Sequence, residues 1–318
     1  MGDGVQPGMK LRIWSALIAV YICWGSTYLA IRFAVETMPP FLMAATRFLI
    51  AGAILFIWRR ASGDRRPSKL EWRSAAIVGA FLLLLSNGLV VWAEQRVVSS
   101  TTALVVSTSP LWIVLIDALR PGGRRPGWQT VAGVLVGFFG ILLLVGPLGL
   151  AGNHQSIDPL GLAALLMAAF FWAVGSLYNR GARLPASPLL GTGMEMLAGG
   201  AGLLILGTLT GEWSQLQLAA ITARSLWSLA YLIVFGALVG FTSYIWLLRV
   251  APTPLVSTYA YVNPLIAVFI GHLLAQEPLN ARVLLSALVI IGAVALINTS
   301  RMAAPQVAEV VPISTGDD

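Results

Sequence analysis

The chain has 318 residues, of which 58% are hydrophobic and only 10% are charged, and its mean hydropathy is +0.83. A soluble domain carries about 25% charged residues, so this chain could not solvate its own surface in water and needs a lipid bilayer as its solvent. The net charge of +7 does not indicate a nucleic-acid partner, because the basic residues cluster between apolar segments. With Cys23 as the only cysteine, an intrachain disulfide is excluded.

Apolar stretches recur along the chain at the length that a bilayer requires. A hydrocarbon core of about 30 Å needs about 20 apolar residues per helix, and prolines stand where several of these stretches begin. The composition therefore predicts an all-α integral membrane protein with ten transmembrane helices. The predicted spans are residues 13–33, 40–58, 74–92, 97–118, 128–148, 159–178, 188–209, 225–247, 252–274 and 281–299.

The distribution of lysine and arginine predicts the orientation of these spans. If the N-terminus is cytoplasmic, fifteen of the 20 basic residues fall in inner segments and four in outer segments, with Arg47 inside a span. Basic residues concentrate on the cytoplasmic side of membrane proteins, so both termini are predicted to be cytoplasmic. Residues 1–12 form the cytoplasmic N-terminus, and the polar residues 300–318 are predicted to be a disordered cytoplasmic tail.

The chain carries an internal repeat. Residues 24–52 align without a gap with residues 172–200, at a constant offset of 148. Matched positions include Trp24 with Trp172, Pro40 with Pro188, Gly52 with Gly200 and, further along, Pro110 with Pro264. The repeats are predicted to be residues 13–148 and 159–299. Since each holds five spans, an odd number, the second would be inverted in the membrane, which is a frequent basis of alternating access.

Two charged residues are predicted to lie deep within spans. Arg47 follows Pro40 by seven residues and Glu195 follows Pro188 by seven residues, which places each about 10 Å deep from opposite faces. A charge at the bilayer centre costs at least about 2.5–3.5 kcal/mol, so each should face a cavity or a partner. Either residue is a candidate for the substrate path or a proton relay; the alternatives are a structural ion pair, or an Arg47 that reaches the membrane surface. Glu94, at the outer end of the third span, is a candidate gate or proton acceptor, and otherwise a solvated loop carboxylate.

Polar uncharged and aromatic residues in mid-span positions complete the candidate site. Hydroxyl and amide groups can hydrogen-bond a solute or a helix carbonyl freed by proline, and aromatic rings can stack on an organic solute or a cation. Pro110 and Pro264 are predicted to interrupt the fourth and ninth spans and to act in gating. The predicted substrate-binding residues are Trp24, Ser26, Tyr28, Arg47, Asn87, Ser107, Ser109, Trp172, Glu195, Tyr244, Tyr259, Tyr261 and Asn263, and the predicted coupling or gating residues are Glu94, Glu195, Pro110 and Pro264.

Several function classes have no sequence support. There is no phosphate-binding loop of the G-x-x-x-x-G-K type and no histidine or cysteine cluster, so neither a cofactor nor a metal is expected. A membrane-embedded lipid-modifying enzyme would need paired acids or a nucleophile with its base, and none is convincing. We therefore expect a non-enzyme, with a passive facilitator or channel as the stronger alternative to a carrier.

These residues carry a family resemblance. The segment 21–28 (YICWGSTY), the segment 257–264 (STYAYVNP) and the triplet Gln276-Glu277-Pro278 resemble the two repeats of the EamA family of the drug/metabolite transporter superfamily. Trp92-Ala93-Glu94 and the segment 194–198 (MEMLA) are most similar to the YedA-like permeases within it. The chain departs from the family at Arg124-Arg125-Pro126, where many relatives carry an acidic residue.

The resemblance implies a bundle in which spans 1–4 and 6–9 surround a central cavity, with spans 5 and 10 at the periphery. It also implies export of amino acids, related metabolites or drugs across the cell (inner) membrane. From these expectations we predict a secondary active exporter of small organic solutes, driven by a proton gradient or by the solute gradient. The expected partners are a small-molecule substrate and membrane lipid, and the alternatives of monomer and homodimer stay open.

Overall fold

A computed structural model describes residues 7–120, 126–145, 157–251, 253–256 and 258–303, and within these ranges the chain is helical, without strands. A short helix at Glu212–Gln215, a 3₁₀ turn at Leu218–Ala220 and a short helix at Thr253–Val256 lie between the longer elements. The long helices are α1 (Pro7–Ala34), α2 (Pro40–Ala61), α3 (Lys69–Ala93), α4 (Ser99–Leu119), α5 (Trp128–Val145), α6 (Pro159–Asn179), α7 (Pro188–Leu209), α8 (Ala223–Leu248), α9 (Tyr259–Ala275) and α10 (Ala281–Ala303).

Eight helices of the described ranges, α1 to α8, are long and apolar enough to cross a membrane, and two shorter apolar helices lie at Tyr259–Ala275 and Ala281–Ile297. Some helices begin before their apolar stretch. Helix α3 begins at Lys69 rather than at residue 74, because Ser68 and Glu71 form a reciprocal capping box that satisfies the first backbone N–H groups. Of the tail predicted to be disordered over residues 300–318, residues 300–303 instead continue helix α10, whereas residues 304–318, like the double arginine at 124–125, lie outside the described residues.

Glycines bring the backbones of α2 and α7, which run antiparallel, close together. A Cβ placed on Gly52 would lie 2.9 Å from the backbone nitrogen of Leu197, and a Cβ placed on Gly200 would lie 3.1 Å from that of Leu49. Only glycine permits so close an approach of two backbones. The two contacts are the same contact under the 148-residue offset, since it relates Leu49 to Leu197 and Gly52 to Gly200.

Helices α3 and α8 each contain an eight-residue π-helical segment, which the sequence analysis did not predict. The segments are Ala80–Asn87 and Leu232–Val239, and both their ends are related by an offset of 152. A π segment misaligns the carbonyl ladder and is often found at functional sites. In α8 the carbonyl of Gly236 accepts a hydrogen bond of 3.2 Å from the indole Nε1 of Trp24, so a side chain from α1 reaches into the segment.

Helix α4 is broken between Val106 and Ser109, and its second half begins at Ser109. Three successive hydroxyls, those of Ser107, Thr108 and Ser109, donate to the carbonyls three residues earlier at 2.6–2.7 Å and so compete with the helical ladder. Pro110 therefore stands in the first turn of a new helix, where its missing N–H costs little, and does not interrupt a continuous helix as predicted. Pro264 does lie inside its helix, α9.

Two carboxylates between helices support the starts of distant helices. Glu212 is buried and accepts the backbone N–H groups of Phe41 and Leu42 at 3.1 and 2.8 Å, at the start of α2. Asp64 hydrogen-bonds the side chain of Ser187, the residue before α7. A carboxylate at a helix N-terminus satisfies free N–H groups and complements the helix dipole. Asp64 and Glu212 are again 148 residues apart.

Candidate solute-binding cavity

A cavity of about 200 Å³ lies at the centre of the bundle. It is lined from helices α1, α2, α3, α4, α6, α8 and α9, and both π segments and the break in α4 contribute to its wall. Helix α7 contributes no lining residue among those described, because its glycine face packs on α2 instead. The expectation that spans 1–4 and 6–9 all surround the cavity is therefore wrong for one of them, span 7, which is helix α7.

Most of the predicted site residues converge on this cavity. Those that line it are Trp24, Tyr28, Arg47, Asn87, Ser107, Ser109, Pro110, Trp172, Tyr259, Asn263 and Pro264. Thr27 and Ser86 also line the cavity and were not among the predicted residues. The apolar face of the π segment in α3 gives Ser86 no distinctive signal, although its neighbour Asn87 was singled out.

The other predicted residues lie outside the lining. Ser26 hydrogen-bonds the Ile22 carbonyl and the Tyr231 hydroxyl, both at 2.6 Å, and Tyr261 packs in a satellite cluster of α4, α5 and α10. Tyr244 packs against Trp24, with ring centroids 5.0 Å apart, but does not line the cavity. Glu195 is half-buried on α7, and its backbone faces Gly79 of α3. Their roles in binding or coupling stay predictions.

Trp24 is the centre of the aromatic wall. Its ring lies 5.3 Å from that of Phe241 and 5.3 Å from that of Tyr259, both edge-on. Gly240 makes room for it, because a Cβ there would lie 2.4 Å from the indole Nε1. Edge-on contacts and the hydrogen bond to the π segment fix the indole in one orientation, which gives the cavity a rigid apolar side.

Arg47 presents a buried cation to the cavity. Its residue surface is 4% exposed, its guanidinium lies 4.8 Å from the ring centroid of Phe48, and neither Nε nor Nη1 has a hydrogen-bond partner. No carboxylate of the described residues lies within ion-pairing distance of it. The amide oxygens of Asn87 and Asn263 are also buried without partners. Since buried polar groups are nearly always hydrogen-bonded, these three side chains leave bonding capacity for a solute or water.

The carboxylate that acts electrostatically on Arg47 is Glu94 rather than Glu195. Glu94 follows the last residue of α3, is 4% exposed and also interacts with the charges of Arg32 and Glu277. Glu94 is buried, so the expected alternative of a solvated loop carboxylate is wrong. Arg47 and Glu94 form no ion pair within 4 Å, so their charges are separated rather than in contact.

A network around Glu277, which we call the Glu277 latch, joins three parts of the chain next to Glu94. One carboxylate oxygen of Glu277 accepts the N–H and the hydroxyl of Ser99 at 2.9 and 2.7 Å and the Arg32 guanidinium at 3.0 Å. The other accepts the N–H of Ser100 at 2.9 Å. The latch therefore ties the start of α4 to α1 and to the segment between α9 and α10.

Glu277 lies between α9 and α10, and these contacts determine the pKa of its carboxyl group. Burial raises the pKa of the Glu277 carboxyl, but the hydrogen bonds from Ser100 and Ser99 outweigh it, and the pKa is lowered from its ordinary value. The sequence analysis used Glu277 only as part of a family motif. The available signal was a carboxylate next to Pro278, immediately before an apolar helix.

No group of three or more histidine, cysteine, aspartate or glutamate residues suited to a metal ion occurs in the described ranges. What the helices do enclose is a small cavity with one cation, amide and hydroxyl groups and aromatic walls, in a bundle whose helices are long enough for a bilayer. This arrangement defines a multi-pass membrane transport protein. The chain belongs to the EamA-like transporter family, whose model matches residues 12–146 and again residues 159–299.

Relatives in bacteria and plants span most of the chain. It is 36% identical over 305 residues to the inner membrane transporter YedA of Escherichia coli, covering 95% of this chain and 96% of YedA. It is 28% identical to protein PecM of Dickeya dadantii, covering 86% and 88% of the two chains, and 25% identical to a WAT1-related chloroplastic protein of Arabidopsis thaliana, covering 90% and 69%. A crystal structure with 20% identity and a TM-score of 0.60 covers 92% of this chain and 98% of its own, which supports the fold alone.

Proposed function

We propose that this protein is a secondary active exporter of small organic solutes in the inner membrane, working by alternating access around the central cavity. Its solutes are amino acids or related amphipathic metabolites and drugs. The observation that carries the proposal is a buried cavity with unpartnered polar groups of Arg47, Asn87 and Asn263, next to a latch that ties helices together at one end of the bundle.

Alternating access needs two arrangements of similar energy, and an inverted repeat supplies them. Several contacts support such a repeat. The Gly52–Leu197 and Leu49–Gly200 contacts are equivalent under an offset of 148, and the π segments under an offset of 152. One family model also matches each half separately. In this proposal the helices α1–α5 and α6–α10 are ten spans in two inverted units, with both termini cytoplasmic.

The Glu277 latch is the outer closure in this proposal. With the charge-based orientation, Arg32 is one of the four basic residues in outer segments, so the latch lies at the outer face and the described state is closed there. Release of the latch would open the cavity outward while α1, α4 and α9 close below it. Export then follows from loading the cavity on the inner side before this release.

Glu94 is the residue that we propose for coupling to protons. It is buried between the latch and Arg47 and interacts electrostatically with both, so its charge bears on closure and on solute binding together. The alternative driving force is the outward solute gradient alone, which requires no titrating residue. Glu195 stays a second candidate, although its side chain does not line the cavity.

Purified protein in proteoliposomes distinguishes a carrier from the alternatives. A melting-temperature screen with amino acids, nucleobases, polyamines and cationic dyes identifies solutes that bind the folded state, because binding raises its stability by mass action. Counterflow with the strongest binder then tests the mechanism. Exchange that is accelerated by solute on the opposite side supports a carrier, whereas rapid downhill flux without acceleration supports a passive facilitator. Conversion of a lipid without solute flux would support the enzyme alternative.

A further inference from the structure

The only charge among the described lining residues of the cavity is positive. Among the described lining residues Arg47 alone is charged; the rest are polar, aromatic or aliphatic. The Arg47 residue is 4% exposed, and the N–H groups on its buried Nε and Nη1 have no acceptor in the protein. On a guanidinium, Nη2 together with either Nε or Nη1 forms a planar fork that matches the two oxygens of a carboxylate, and such charge-assisted hydrogen bonds are about twice as strong as neutral ones.

Apart from the indole N–H groups of Trp24 and Trp172, the remaining polar side chains of the lining can act as acceptors. The buried amide oxygens of Asn87 on α3 and Asn263 on α9 have no partner, and each can accept an N–H or O–H of a solute. Neither oxygen carries a charge, so a solute donor does not have to be an ammonium. A neutral amide N–H or hydroxyl would satisfy them equally well.

The size and walls of the cavity restrict the rest of the solute. Sites for drug-sized ligands enclose about 300–1,000 Å³, and this cavity encloses about 200 Å³. Its walls include the rings of Trp24, Tyr28, Tyr259 and Phe241, which suit a flat or aliphatic body. The lining thus fits a small solute with one anionic end and one apolar end.

We propose that solutes enter this cavity through a carboxylate that Arg47 binds, and that a charged amine is not required. The preferred class is therefore small organic acids with an apolar body, with amino acids accepted through the same carboxylate and amines without a carboxylate rejected. This assignment rests on the proposed function, because it names the solute class of the same transport site.

The melting temperature of the solute-free protein distinguishes a solute-binding Arg47 from an Arg47 that has a purely structural role. A buried cation without a partner lowers stability, so replacing it by a neutral residue should leave the melting temperature of the solute-free protein unchanged or raise it. An arginine held in an ion pair would behave in the opposite way, because its removal leaves the partner charge buried. Arg47→Gln and Arg47→Lys separate the charge from the planar fork.

The test uses the intact protein in detergent and three probes with the same phenyl body: phenylacetate, phenylalanine and phenethylamine. Melting temperatures and calorimetric titrations at pH 7 should show binding of phenylacetate and phenylalanine and none of phenethylamine. Arg47→Gln should weaken phenylacetate binding about tenfold or more, and Arg47→Lys should restore part of it. The matched control is Arg224→Gln, an arginine that pairs with Glu36 and stacks on Phe33 away from the cavity, and it should bind as the wild type does.

The assignment is overturned if phenethylamine binds as tightly as phenylacetate, if Arg47→Gln retains phenylacetate binding, or if none of the three probes binds. A lower melting temperature of solute-free Arg47→Gln would also count against it. Because these are binding measurements, their outcome is separable from transport. Carboxylate binding through Arg47 without counterflow would refute the carrier function but support the carboxylate site. Counterflow of amines would support the carrier function but refute the carboxylate site.

Discussion

Arg32 on α1 and Glu277 before α10 form an ion pair of 3.0 Å although 245 residues separate them in sequence. The same Glu277 carboxylate accepts both backbone N–H groups at the start of α4. One side chain thus holds three elements that line or border the cavity, and the helix that it caps is the one broken at Ser107. A conformational change that opens this end of the bundle has to break these hydrogen bonds.

Glu277→Gln should weaken the latch while keeping the size of the side chain. Loss of a buried charge that accepts four hydrogen bonds is expected to cost about 1–3 kcal/mol, seen as a lower melting temperature. It should also open the cavity outward: with Cys23→Ala and Ser107→Cys as background, a membrane-impermeant maleimide added outside should label faster. Glu36→Gln is the control, because the exposed Glu36–Arg224 pair at 3.6 Å is expected to contribute about 1 kcal/mol or less. Equal labelling rates with and without the Glu277 substitution would refute the latch as a closure.

The latch also predicts a pH dependence. The pKa of Glu277 is lowered in the folded state, so its carboxylate contributes stability above its ordinary pKa of 4.5, and this contribution is lost as the pH falls through the lowered value. The melting temperatures of wild type and Glu277→Gln should therefore differ by a constant amount from pH 6 to pH 8 and begin to converge only below about pH 4.5. A difference that already vanishes at pH 6 would contradict the proposed contacts.

The glycine contacts of α2 and α7 predict position-specific sensitivity. Gly52→Ala places a Cβ 2.9 Å from the backbone of α7, so the helices must separate, at a cost of about 1–3 kcal/mol. Gly200→Ala makes the equivalent intrusion on Leu49 and should behave similarly. Gly292→Ala is the matched control: Gly292 is exposed on α10 with nothing within 4 Å of its Cβ, and alanine there should be neutral or stabilising by up to about 1 kcal/mol. Equal melting temperatures for all three variants would refute the packing.

Glu94 and Glu195 are distinguished by transport rather than by stability. Glu94→Gln should flatten the pH dependence of phenylacetate transport, because the buried carboxylate between Arg47 and the latch can no longer bind or release a proton. Glu195→Gln should reduce the rate by less, since its carboxylate does not line the cavity. Uptake into vesicles at matched solute concentrations, with and without an imposed pH gradient, measures both. An unchanged profile in Glu94→Gln would remove that residue from coupling.

The helices follow closely from the sequence because hydrophobic length is a local property. The ends of the helices depend on polar contacts that hydropathy does not predict, such as the capping box that starts α3 at Lys69. The sequence predicts an interruption at Pro110, and the structure places the break just before it, at Ser107 and Thr108, where three neighbouring hydroxyls bond carbonyls of the preceding turn. The π segments have no hydropathy signal, since apolar residues fill them as readily as an α-helix.

The cavity was predictable in its residue types but not in its charge pairing. Spacing from Pro40 and Pro188 placed Arg47 and Glu195 at similar depths from opposite faces, yet depth does not specify the face of a helix, and α7 turns its glycines to α2. Glu94 and Glu277 stand at helix ends, where an isolated sequence suggests a solvated carboxylate. Long-range packing buries both instead, and this burial is a tertiary property that spacing alone cannot reveal.

Counterflow in sealed proteoliposomes distinguishes alternating access around Arg47 from a passive pore. Vesicles are preloaded with unlabelled phenylacetate, and the entry of labelled phenylacetate is compared with entry into empty vesicles. A carrier that alternates around Arg47 should show transient accumulation above equilibrium in loaded vesicles, and this accumulation should be absent with Arg47→Gln and retained with Arg224→Gln. Rapid entry that is equal in loaded and empty vesicles would contradict alternating access and identify a passive pore.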